Sequence, residues 1–150
     1  MNKKNLFIVL VVLCIAFTSN AQKSIFPRTA AAVVAGFYKE LDEKPTNMSR
    51  EAHASKVFDK YFTKSYTEIT GNKGMVVQNF KEFKAFVTGT LKQMPKLDVE
   101  LEELIASGNM VTVKIKLSDK ASGMVVNYLA LYYVKNEKIQ SRYAYSDGAF

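Results

Sequence analysis

Cysteine is almost absent from this 150-residue chain: its one thiol, Cys14, lies inside the first apolar run. There is no tryptophan, and His53 is the only histidine. Disulfides need paired thiols, and structural zinc needs several Cys or His ligands, so both are excluded. The same poverty leaves no thiol nucleophile and no converging His/Cys/acid set for iron or zinc. No metal and no cofactor is therefore expected. Gly71 and Gly74 fall in "TGNKGM", which lacks the following Lys-Ser/Thr of a phosphate-cradling loop. A concentrated run of one charge is also missing. The net charge is +7, but the lysines are interleaved with acids, as in Lys39-Glu40, Asp59-Lys60 and Lys81-Glu82. A nucleic-acid binder gathers its basic residues on one face, so this pattern reads as a solvated, mildly basic surface with no nucleic-acid partner. Stability must come from packing.

The start of the chain reads as processing sequence. Lys3 and Lys4 precede an unbroken apolar run, Leu6–Phe17, and Ser19 and Ala21 then stand at alternate positions before Gln22. A basic start, a short apolar core and a small-x-small exit describe a secretory signal peptide. Twelve apolar residues span only about 18 Å as a helix, short of a ~30 Å hydrocarbon core, which disfavours a retained anchor. Leu13 before Cys14, with more apolar residues after it, disfavours a lipidation site. The reading is a cleaved leader over 1–21, a linker over 22–28 containing Pro27, and one domain over 29–150. The mature protein would be exported, periplasmic or secreted, with no membrane span. Removing 21 residues from 150 leaves 129, enough for one domain with its own core.

From Thr29 the apolar residues Ala30, Val33, Val34, Phe37, Tyr38 and Leu41 keep helical spacing. A second helix is predicted over about 49–63, capped by Ser49, with Ala54, Val57, Phe58, Tyr61 and Phe62 as its stripe. Residues 65–78 read as irregular chain or a short strand. Asn79 and Glu82 resemble a capping box opening a third helix to about Gln93, stopped by Pro95. The period then changes to two. Leu97, Val99 and Leu101 alternate with acids, and Val111, Val113, Ile115 and Leu117 alternate with polar residues. Residues 124–134 are apolar on both faces, and 138–147 form a last strand. In that strand Ile139, Ser141, Tyr143 and Tyr145 would share one face, and Gln140, Arg142, Ala144 and Ser146 the other. The expected architecture is α+β: a four-strand antiparallel meander, with a candidate short strand, under three N-terminal helices.

Four stretches carry a resemblance: "VVAGFYKELDEK" (33–44), "VFDKYFTKSYTEI" (57–69), the run from Phe80 to Leu117, and "YYVKNEKIQSRYAYSD" (132–147). In this order and spacing the chain resembles the nuclear transport factor 2-like superfamily, and within it the SnoaL-like, polyketide-cyclase-type domains. The resemblance implies a cone-shaped sheet around a deep pocket, frequent pairing into homodimers, and functions ranging from isomerases, dehydratases and cyclases to non-catalytic ligand binding. Cyclase-type relatives carry an aromatic flanked by His and Asp on the last strand. Here Tyr143 is flanked by Arg142 and Ala144, and Ala144 cannot transfer a proton. Relatives also place a Tyr shortly before Asp-His after the second helix, where this chain has Tyr66, Glu68 and Ile69. His53 reads as a boundary residue, and Glu68 as a loop carboxylate.

Tyrosines combine an apolar body with a polar tip, which suits a pocket for a partly apolar ligand, although they equally fill cores and dimer faces. The candidate ligand-binding residues are Tyr61, Tyr66, Tyr128, Arg142 and Tyr143. Arg142 would anchor an anionic group, unless it pairs with a neighbouring-strand Glu on the solvent face. The preferred reading is an exported domain that binds a small apolar or aromatic ligand or serves as a dimeric interaction module, without the family's acid/base set. The alternative is an isomerase-, dehydratase- or cyclase-type enzyme with Glu68 or Asp147 as base and Tyr66 as a hydrogen-bond donor.

Overall fold

A computed structural model describes residues 28–71 and 75–147. The leader 1–21, the linker as far as Pro27 and turn residues 72–74 lie outside the described residues. Three helices precede the meander: α1 (Ala30–Asp42), α2 (Arg50–Tyr61) and α3 (Phe80–Gln93). Each begins where a side chain accepts an otherwise orphaned N–H. Thr29 Oγ1 accepts from the Ala32 N–H at 3.2 Å, and Ser49 Oγ from the Ala52 N–H at 3.1 Å. At α3 the capping box is complete. Asn79 Oδ1 accepts from the Glu82 N–H at 3.1 Å, and the Asn79 N–H donates to Glu82 Oε2 at 2.9 Å. The predicted stripe of α1 is buried throughout, from Ala30 to Leu41.

The strands are β1 (Phe62–Gly71), β2 (Met75–Asn79), β3 (Asp98–Ser107), β4 (Met110–Asp119), β5 (Met124–Lys135) and β6 (Lys138–Ser146). They form one curved, open, mixed sheet in the order β2-β1-β6-β5-β4-β3. The meander β3–β6 is as expected, but 65–78 belongs to a full antiparallel hairpin, β1–β2, and β1 runs parallel to β6. Its inward positions include Glu68, and its pairing is irregular between Phe62 and Thr67, so no clean apolar alternation marks it in the sequence. As a result β6 is an interior strand, hydrogen-bonded on both sides.

The faces of β6 also differ from simple alternation. Tyr133 pairs with Ser141 while Val134 pairs with Ile139, which leaves Gln140 as an extra, bulged residue. The slip turns Ile139 inward together with Arg142, Ala144 and Ser146, while Tyr143 and Tyr145 face out. At the β5–β6 turn, Asn136 (φ 53°) and Glu137 (φ 56°) are both left-handed, the two-residue geometry that matches strand twist. Glu137 also accepts from the Arg28 backbone N–H at 2.6 Å, tying the start of the domain to the turn.

The helices cover the concave face. Phe37, Phe58, Phe62, Tyr66 and Phe83 meet there with ring centroids 4.8–5.6 Å apart along the chain of contacts. Among the described residues, no helix covers the convex face. A single row of paired residues crosses all six strands there: Val77, Ile69, Tyr143, Leu131, Thr112 and Ile105. Ile105 is 63% exposed and Val77 58%.

Candidate functional site

The concave face has its own row: Ala106, Val111, Tyr132, Arg142, Glu68 and Gln78 stand opposite one another from β3 to β2. The sheet therefore places a cation and a carboxylate side by side at its centre, under the helices. The Arg142 Nη1 donates to Glu68 Oε1 at 2.8 Å. Glu68 is completely buried, and Arg142 is 9% exposed. Both carboxylate oxygens are engaged: the Tyr66 hydroxyl donates to Oε2 and the Thr70 hydroxyl to Oε1 at 3.1 Å.

The adjacent row holds Ala130 on β5 and Ala144 on β6, paired directly and both buried. Two alanines side by side keep side-chain bulk low in the row next to that of the Arg142 guanidinium. Its central carbon lies 5.5 Å from the Phe83 ring centroid, 5.7 Å from that of Tyr128 and 5.8 Å from that of Tyr132. Aromatic faces attract a cation, most strongly when it is desolvated. The Tyr38 and Tyr132 hydroxyls hydrogen-bond each other, closing the cluster against α1. Tyr128 is half-buried, and Leu101, Leu117 and Met124 are likewise only partly buried where they pack on the core. Tyr128 is where the cluster approaches the surface.

Burial sets the electrostatics. It raises the Glu68 pKa above the ordinary carboxylate range, although Arg142, Tyr66 and Thr70 pull the other way. Burial opposes the charge on Arg142, but Tyr132 and Glu68 more than restore it, so the guanidinium stays ionised. Desolvation lifts Tyr128 to about 12 and pushes Tyr66 and Tyr38 well above the usual phenol range. The cluster thus holds protonated phenols around a buried guanidinium–carboxylate pair, with burial raising the pKa of the carboxyl.

The structure brings together Tyr66, Glu68, Tyr128 and Arg142 from the sequence candidates. It separates the other three. Tyr61 is buried at the helix junction, where its hydroxyl donates to Glu40 Oε1 at 2.7 Å and its ring meets Phe37. Tyr143 is 49% exposed on the convex face, because the bulge at Gln140 fixes Arg142 and not Tyr143 inward. Asp147 is exposed, and its carboxylate accepts from the Asn127 N–H at 2.8 Å and Nδ2 at 2.7 Å. Two sequence expectations need correction here. Glu68 lies on a strand, not a loop, and Arg142 does pair with a neighbouring-strand Glu, but in the interior and not on the solvent face. His53 is partly buried, with Nε2 2.7 Å from the Glu40 carbonyl oxygen. Sequence reasoning left out Tyr38 and Phe83 as cluster members. Tyr38 and Phe83 sit on predicted apolar helix stripes, where a hydroxyl or a cation contact leaves no periodic signal.

Among the described residues no three His, Cys, Asp or Glu side chains group as a metal site, and no helix is long and apolar enough to cross a membrane. Residues 47–142 match the family model of the SnoaL-like domain. No curated protein matches the chain. Solved structures with the same fold include IdmH of Streptomyces antibioticus, a candidate polyketide cyclase (10% identity, 80% of this chain and 93% of that one, TM-score 0.63). Another is a candidate SnoaL-like polyketide cyclase from Jannaschia sp. CCS1 (16% identity, 85% and 92%, TM-score 0.62). A nuclear transport factor 2-like protein of unknown function from Cytophaga hutchinsonii is also similar (16% identity, 82% and 94%, TM-score 0.56). At such identities the likeness is one of fold.

Proposed function

Because the chain belongs to the SnoaL-like domain family, we propose that it is an exported ligand-binding domain whose cone takes a small, largely apolar molecule past the Tyr128 rim to Arg142. The observation that carries this reading is the state of Glu68. A general base must present a free lone pair to the proton it removes. Three of the roughly four lone-pair sites of Glu68 already accept hydrogen bonds, from Arg142, Tyr66 and Thr70, so only one on Oε2 is left, inside a fully buried group, and Asp147 lies outside the cluster. The arrangement resembles a polar anchor within an apolar pocket more than an acid/base pair, and a few convergent polar groups in an apolar lining are what small-molecule sites use.

Export rests on the leader over 1–21, and the apolar row of the convex face, which no described element covers, supports pairing with a second copy. Native mass spectrometry of the protein purified from its own host tests ligand and export together. The expected polypeptide begins at Gln22 and carries an adduct of a few hundred daltons, and Tyr128→Ala reduces its occupancy. An adduct-free spectrum at every collision energy, with no small molecule in the denatured extract, counts against the binding reading. A chain still beginning at Met1 counts against export.

A further inference from the structure

We propose that the cone takes a monocarboxylic acid with an apolar body, bound as its anion to Arg142, with one proton taken up from solvent onto Glu68. This rests on the ligand-binding reading above and names its ligand class. The starting point is an incomplete hydrogen-bond set. Arg142 Nη1 is held by Glu68, but its Nε is buried with no hydrogen-bond partner. The Phe83, Tyr128 and Tyr132 rings packed against the guanidinium offer faces, not in-plane acceptors. Buried guanidinium donors are rarely left unpaired, and the edge carrying Nε presents parallel N–H groups that match the two oxygens of a carboxylate.

Charge balance then dictates the proton. Arg142 is already neutralised by Glu68, so an incoming anion would leave two carboxylates against one cation in a site with little water. Two carboxyls sharing such a site cannot both stay ionised. The groups facing Glu68 are Tyr66 and Thr70 on β1, Arg142 on β6, Tyr132 and Tyr128 on β5, and Tyr38 on α1, with Asp147 acting on Tyr128 from the strand end. The phenols already keep their protons, and the arginine remains charged, so only Glu68 and the ligand carboxyl are left to share one proton. Burial raises the Glu68 pKa even beside Arg142, so it is Glu68 that takes up the proton when a second carboxylate arrives. The step is a simple balance: ligand anion plus one solvent proton enter, and the site keeps the net charge it had. Tyr128, the partly exposed ring beside the guanidinium, meets the apolar body.

Isothermal titration calorimetry with 2-naphthoate, run in buffers of different ionisation enthalpy between pH 6 and 8, reads the proton directly. The expected result is uptake of about one proton per ligand, with affinity falling about tenfold for each unit rise in pH. Glu68→Gln, which cannot ionise, should bind 2-naphthoate with no proton uptake and no pH dependence. If that variant fails to fold, the wild-type calorimetry alone decides. Binding of 2-naphthoate without proton uptake overturns the inference. So does binding of the neutral 2-acetonaphthone with exclusion of the acid, which would leave the ligand-binding reading intact. Failure of both probes overturns the two together.

Discussion

Arg142 and Glu68 are buried together, and each is tolerable only because of the other. Removing water from two charges costs several kcal/mol per ion, offset by their attraction and by the hydrogen bonds from Tyr66 and Thr70. Breaking such a pair from one side leaves a stranded charge. Arg142→Met and Glu68→Leu are each expected to destabilise the fold by about 3–5 kcal/mol in urea unfolding, whereas the double variant should recover most of that loss. Additive losses in the double variant would contradict this account. Arg142→Met should also make stability strongly pH-dependent. A carboxyl whose folded pKa lies above its unfolded value of 4.5 holds more protons folded than unfolded between the two, so stability falls as pH rises through that window. With its cation gone, Glu68 is pushed further up, and the variant should be least stable at pH 8 and closest to wild type near pH 4.5.

At the scale of elements, the helices are held by local chemistry at their ends and by a few long-range ties. Arg50, at the start of α2, is buried, and its Nη1 donates to the Pro95 carbonyl at 3.0 Å and also to that of Leu97. Asp42, at the end of α1, accepts the Val99 N–H at 2.9 Å. Together they pin the α3–β3 connection to both other helices, and so fix where the meander begins. Arg50→Ala would leave two carbonyls without their donor, each costing about 1–3 kcal/mol if no water replaces it. The expected result is a loss of at least about 2 kcal/mol by chemical denaturation, with early hydrogen exchange at Leu97 and Val99. A loss under about 0.5 kcal/mol, the range of an ordinary surface substitution, would show that the tie is dispensable.

On the scale of the whole molecule, the two faces of the sheet have opposite fates. The concave face is buried under α1 and α3 and carries the charged cluster. The convex face leaves Leu129, Tyr145 and Val125 more than half exposed beside the Val77-to-Ile105 row. Contiguous exposed apolar surface of this kind often marks an interaction site, and under the proposed pairing a second copy would supply a matching face by two-fold symmetry. Light scattering after size exclusion should find a dimer at tens of micromolar. Leu131→Lys, at the centre of the row, should shift it to monomer while leaving the circular dichroism unchanged. A wild-type monomer at that concentration would rule out the pairing.

Much of this architecture follows from local rules that act within a few residues. Thr29, Ser49 and Asn79 mark the helix starts because a short polar side chain satisfies a free N–H wherever it occurs. The alternation in 97–101 and 111–117 marks strands because side chains must face opposite ways. The cluster was only half legible for the same reason in reverse. Glu68 reads as a loop carboxylate in sequence, since no local rule places an acid inside a strand. Only the parallel pairing of β1 with β6 sets it beside Arg142, 74 positions away. The bulge at Gln140, which decides that Arg142 faces in and Tyr143 faces out, is likewise a product of pairing between strands. Helices, meander and family resemblance were determined by the sequence by itself. Tertiary structure decided which charged residues meet, because desolvation and strand register are properties of the assembled sheet.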